Sequence, residues 1–219
     1  MAVIKVRKLK GDKKAKKIMF YFIFSLFISF LFWGIAETYW NIEMWIFNEL
    51  NYPGIADIFY ILGYLIYFIG FSILWYYLFK EIKDKFTFIA VIIACFSVIT
   101  FISVYLITDV VLSLTEKGTS LLTTTLDISY PILAAMNLII SLIGFFIFEK
   151  KNIKKVFLIF AFAAIPDYIA NILQAFIDWE TIYGYYGFIA DILYVIDYLL
   201  LITATAYFIK IQKVEEEIS

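Results

Sequence analysis

The chain has 219 residues, 64% of them hydrophobic, with a mean hydropathy of +0.91 and a formal net charge of −1. A soluble domain is closer to half apolar, and a single core of this size could not enclose the excess, so a soluble globular fold is excluded and lipid is the expected solvent. One cysteine, Cys95, rules out a disulfide framework and a multi-cysteine metal site; with no histidine, the commonest general base and the usual transition-metal ligand are missing as well.

Residues 1–17 form a basic segment carrying Lys5, Arg7, Lys8, Lys10, Lys13, Lys14, Lys16 and Lys17. It is read as an orientation signal facing anionic lipid, because the apolar run after it is too long for a signal peptide and lacks a small-residue cleavage site. A spanning helix needs about 20 mostly apolar residues. Six runs qualify: 18–39, 54–79, 86–108, 127–148, 156–177 and 185–209. Between the first two, Trp40 to Tyr52 mixes Trp, Phe and Leu with Asn and Glu, as in a short helix lying at the interface. Lys80 to Lys85 is a short basic link. Val110 to Leu126 is too apolar for a solvated loop; it either prolongs the third span or folds back as a cap. Glu149 to Lys155 is a second basic link, and residues 210–219 form an acidic tail with Glu215, Glu216 and Glu217.

With the N-terminus in the cytoplasm, the inner segments hold eight, three, four and two basic residues, which is 17 of the 18, and only Lys117 is left outside. This asymmetry predicts a plasma-membrane protein with both termini cytoplasmic. Richness in Ile, Phe, Tyr and Lys, with two Gln, suggests an archaeal or thermophilic source.

The membrane part repeats itself. Ile55-Ala56-Asp57-Ile58-Phe59-Tyr60 with Tyr64-Leu65 matches Ile189-Ala190-Asp191-Ile192-Leu193-Tyr194 with Tyr198-Leu199. Asp127-Ile128-Ser129-Tyr130 is a weaker copy, and the three Asp residues are 70 and 64 positions apart. Each is expected to open a helix running from outside to inside. The expected fold is therefore an all-α integral membrane protein whose six helices form three parallel helical-hairpin repeats, 18–79, 86–148 and 156–209, about a threefold pseudo-axis. Each Asp has a simpler explanation as a helix cap.

No Lys or Arg interrupts the spans, yet acids do. Asp167, Asn171, Gln174 and Asp178 are spaced by four, three and four residues and share one helical face. A carboxylate at mid-depth facing lipid costs about 2.5–3.5 kcal/mol or more, so that face must look inward. Asp167, Asp197 and Asn137 all fall near the middle of their spans, and Pro166 frees a backbone carbonyl beside Asp167. A buried carboxylate without a cationic partner is protonated, accepts hydrogen bonds from tyrosines, or ligates a cation. Oxygen ligands favour Na⁺, Ca²⁺ or a proton, with Asp167 and Asp197 as the candidate ligands of a hard cation and no other cofactor expected. Asp57, Asp127 and Asp191 would line the mouth, with Tyr60, Tyr130 and Tyr194 beside them for a ligand cation or plane. Polar contacts between packed helices would explain the same residues without any ligand.

The run Tyr52-Pro53-Gly54-Ile55-Ala56-Asp57-Ile58-Phe59-Tyr60-Ile61-Leu62-Gly63-Tyr64 resembles the Tyr-Pro-Ser-x-Ala-Asp-x-x-Tyr-x-x-x-Tyr signature of a multi-helix membrane sensor region. That region precedes diguanylate cyclase and histidine kinase domains in many bacteria. The segments from Asp127 to Pro131 and from Ala190 to Tyr194, and Trp33 with Glu37, are similar to its other helices, so the resemblance covers roughly residues 26 to 208. It implies sensing at the outer face and a helix movement passed inward. Gly54 replaces the usual Ser, and no output domain follows Lys210, so output is expected from a separate cytoplasmic protein.

Two functions stand on these residues. The first is a sensor or receptor-like module with an outward-facing acidic and aromatic pocket; the second is an H⁺- or Na⁺-coupled carrier or channel for a small solute. Enzyme activity is not expected, since no Gly-x-Gly-Asp or other catalytic signature accompanies the two acids. Expected partners are the bilayer, a small ligand or cation from outside, the cytoplasmic output protein and a second copy of the chain; nucleic acid is not among them.

Overall fold

A computed structural model of the chain describes residues 13–47, 52–81, 120–148, 151–175 and 184–217, with isolated positions between Phe86 and Thr108. All regular structure among these residues is helical: α1 (Lys13–Ile42) running into a π-helical turn (Glu43–Phe47), α2 (Ile55–Glu81), α3 (Leu121–Ile147), α4 (Lys151–Ala175) and α5 (Gly184–Glu217). Each of the five long helices contains a stretch apolar and long enough to cross a membrane. The chain is a multi-pass membrane protein by this architecture. The third expected span, with Cys95 and Asp109, lies largely outside the described residues, although Phe86, Ile89, Ile93, Phe96, Val104 and Thr108 are helical and exposed. The links at Lys83 to Lys85 and 176–183, with Asp178, also lie outside them.

The chain divides into two compact units, one holding α1 and α2 and the other α3, α4 and α5. In the first, α1 and α2 pack as an antiparallel pair. The Phe22 and Phe71 rings meet edge to face at 4.9 Å, and towards the other end Trp33 meets Tyr64 at 5.1 Å. The buried face of α1 runs through Phe22, Leu26, Ser29, Trp33 and Ala36, and that of α2 through Ala56, Gly63, Tyr67, Gly70 and Leu74. These positions follow the three-to-four-residue helical period. The opposite face of α1 exposes Phe20, Phe24, Phe27, Leu31 and Ile35, which is what lipid requires and water would penalise.

In the second unit α4 is the middle helix, packed on α3 at one side and α5 at the other. It therefore has two buried faces. Phe157, Ala161 and Ala164 are buried in addition to Val156, Phe160, Ala163, Asp167 and Ala170. At the α3 side Phe157 stacks on Phe148 at 4.9 Å, and Gly144 lets its ring approach the α3 backbone. On α5 the buried positions are Ala190, Asp197, Leu201, Ala204 and Phe208, with Ile192, Leu199 and Ile202 exposed.

Three expected boundaries are corrected. As far as Phe47 the segment from Trp40 is not a separate helix, since α1 continues through it and passes into the π-helical turn, and residues 48–51 lie outside the described residues. The end of the ambiguous stretch Val110 to Leu126 belongs to α3, which starts at Leu121 and is capped by Ser120, whose hydroxyl accepts the Thr123 N–H at 3.1 Å. Asp127 consequently does not open its helix but is the seventh residue in, and Asp191 is the eighth of α5. Only Asp57 stands in a first turn.

Candidate functional site

Asp57 behaves as a cap. Its Oδ2 accepts the N–H of Gly54 at 2.6 Å, three residues back, closing the exposed donor in front of α2. In the same unit the indole Nε1 of Trp33 donates to the carbonyl of Tyr60 at 3.2 Å, so Tyr60 is engaged through its backbone and its side chain is half-buried. Asp127 is buried on α3, while Tyr130 and Asp191 are half-buried.

The other expected residues gather around α4. Asp167 and Asp197 are only 4% and 3% exposed, and their carboxyls lie close enough for each to feel the other's charge. The register of the antiparallel pair explains this. Asp167 is seven residues, roughly 10 Å, from the Gln174 end of its spanning stretch, and Asp197 is ten residues, roughly 15 Å, from the Gly187 end of its own. Side chains lean toward the N-terminus of their helix, so in antiparallel neighbours these two lean toward each other.

Asn171 stands one turn from Asp167 on α4. Its Nδ2 donates at 2.8 Å both to the Asp167 carbonyl and to Asp167 Oδ1. Both partners are acceptors, so only the NH₂ end of the amide satisfies them. Another turn on, Gln174 Oε1 accepts the Tyr194 hydroxyl at 2.9 Å, tying α4 to α5. This bond lies between the acid pair and the adjoining ends of the two helices. On the other side of α4, Asn137 of α3 is 1% exposed and its Oδ1 has no hydrogen-bond partner; Asp197 Oδ1 is likewise buried without one. Ser141, one turn along α3 from Asn137, donates its hydroxyl to the Asn137 carbonyl at 2.9 Å.

The structure therefore joins Asp167 with Asn171 and Gln174 with Tyr194 by hydrogen bonds, and brings Asp167 within electrostatic range of Asp197. Among the described residues no group of three or more His, Cys, Asp or Glu side chains is placed to hold a metal ion. The sequence reading missed Trp33 and Gly63 as a close-packed pair: the indole lies so near Gly63 that a Cβ there would collide with it. A glycine inside an apolar helix was the available signal. No protein-family model, curated protein or solved structure matches this chain.

Proposed function

We propose that this chain is a plasma-membrane sensor or receptor-like module, both termini cytoplasmic, that takes up a cation or small cationic ligand in an acidic pocket on α3, α4 and α5. The observation that carries this reading is the Asp167–Asp197 pair, two carboxyls buried on neighbouring antiparallel helices within electrostatic range of each other, with no Lys or Arg between Val156 and Gln174 or between Gly187 and Ile209. Leaving two neighbouring carboxyls both charged in a medium of low dielectric constant, in spans without Lys or Arg, is too costly to persist, so a positive charge belongs there. Asn171 fixes Asp167, and Gln174 with Tyr194 closes the helix pair above the acids. In this reading the ligand reaches the pair from outside, and the helices shift as it enters.

The hairpins are read as copies of one unit. An offset of 134 residues, the separation of Asp57 and Asp191, carries five of the six buried positions of α1 onto buried positions of α4, and five of the eight of α2 onto buried positions of α5, which supports the repeat. A second reading, a carrier driven by H⁺ or Na⁺, draws on the same pair, because carboxyls at mid-span suit coupling ions as well as signals.

Reconstitution into liposomes separates the two. A sensor is expected to show ligand- or cation-dependent thermal stabilisation, lost in Asp167→Asn, without flux of Na⁺, H⁺ or Ca²⁺. Robust flux abolished by Asp167→Asn would establish the carrier instead, and neither response in any of the three ions would reject both.

A further inference from the structure

The offset of 134 residues sets Trp33 opposite Asp167 and Gly63 opposite Asp197. The same two positions come together in both hairpins: the Trp33 indole lies against Gly63, and Asp167 and Asp197 are buried on neighbouring helices within electrostatic range of each other. The two contacts are independent of one another, since they belong to different compact units. What fills the place differs. In the α1–α2 hairpin it is an aromatic ring, and its one polar atom is already bonded to Tyr60. In the α4–α5 hairpin it is four carboxyl oxygens, of which Asp197 Oδ1 is buried with no hydrogen-bond partner.

The occupant's charge follows from the surroundings. A divalent ion such as Ca²⁺ takes six to eight oxygens, and no third acid joins the pair among the described residues. Asn171 presents N–H groups to Asp167, as a donor and not as an oxygen ligand. One positive charge leaves the pair with the charge of a single carboxylate, which the Asn171 N–H on Asp167 Oδ1 partly offsets. We infer that the protein carries one buried position for a single small positive charge, a proton or a monovalent metal ion, held by Asp167 and Asp197, and that Trp33 blocks the matching position of the α1–α2 hairpin. This rests on the acidic-pocket reading above and narrows its occupant from a cation or small cationic ligand to a single small positive charge at one site per chain.

Labelling with a hydrophobic carbodiimide, which attacks protonated carboxyls in apolar surroundings, tests this on the whole chain in lipid nanodiscs and sodium-free buffer. Peptide mapping is expected to find the label at Asp167 or Asp197, approaching one per chain, with Asp57, Asp127 and Asp191 unmodified. Loss of label on adding Na⁺ at fixed pH identifies a monovalent metal ion as occupant; label unaffected by Na⁺ identifies the proton. The double variant Trp33→Asp/Gly63→Asp is expected to gain a second labelled position in the first hairpin. Comparable labelling of Asp57, Asp127 and Asp191 would overturn the single site while leaving the acidic pocket standing, and a folded double variant without new label would overturn the blocked copy. No label anywhere, with or without Na⁺, would remove the site and the pocket together. Should the double variant not fold, Trp33→Asp alone, which opens the same position, takes its place, and that variant folded without new label would overturn the blocked copy.

Discussion

Glycines separate the residues that hold this protein together from those that merely fill a helix. Gly34 has open space around its Cα on α1, whereas a Cβ on Gly63 would enter the Trp33 indole and one on Gly144 the Phe157 ring. Trp33 is wedged by Tyr64 and Tyr67, at 5.1 and 5.7 Å between ring centroids, and Phe157 is stacked on Phe148, so neither ring can retreat without displacing others. Gly63→Ala and Gly144→Ala are therefore expected to cost about 1–3 kcal/mol each. Gly34→Ala should be neutral, or more stable by up to about 1 kcal/mol from helix propensity alone. Thermal unfolding of the three variants in one detergent checks the contrast, and equal melting temperatures would refute the close approaches. At Gly70 the neighbour is the Ser25 hydroxyl, which can rotate away, so alanine there should be milder. The sequence showed the glycines but not which of them face a ring, because that depends on the crossing of two helices and not on local pattern.

The helices themselves were largely readable, since a lipid-spanning segment announces itself by length and composition with little help from tertiary contacts. Their ends were less so. Capping preferences pointed to Asp127 as the start of α3, but Ser120 with Thr123 makes the cap, and Leu121 to Leu126 extend the helix by more than a turn. Aromatic residues around Trp40 suggested an interfacial break, yet nothing there, neither Gly nor Pro, stops α1 before Ile42. Ser120→Ala removes the acceptor for the Thr123 N–H and is expected to lower stability by about 0.5–2 kcal/mol, whereas Asp127→Ala should leave the start of α3 in place. Amide hydrogen exchange over residues 121–125 reads this directly: faster exchange in the Asp127 variant and not in the Ser120 variant would restore the original assignment. On α4 the four-and-three spacing of Asp167, Asn171 and Gln174 was legible as one face, and the hydrogen bonds of Asn171 and Gln174 lie along it. Their partners on α5 were not legible, because sequence spacing does not set the register between two helices.

At the scale of the whole molecule, stability in lipid has to come from packing and from polar groups that meet, since apolar side chains gain nothing by leaving lipid for each other. That makes the acid pair a constraint on insertion as well as a candidate site. A lysine at the middle of an isolated span costs about 2.5–3.5 kcal/mol, but a lysine in place of Asp167 would sit beside Asp197 and gain an opposite charge. Asp167→Lys should consequently insert and fold at reduced but measurable yield, with Asp197 as its counter-ion. Removing that counter-ion in Asp167→Lys/Asp197→Asn strands the cation, a loss of about 3–5 kcal/mol for a buried pair broken on one side, and the double variant should be nearly absent from the membrane fraction. Asp167→Asn and Asp197→Asn, which bring no charge, serve as controls and should both accumulate normally. The decisive quantity is the ratio of folded yields between the lysine variant with and without Asp197. A ratio near one would mean that the two side chains do not meet, and the α4–α5 register on which the pair depends would have to be redrawn.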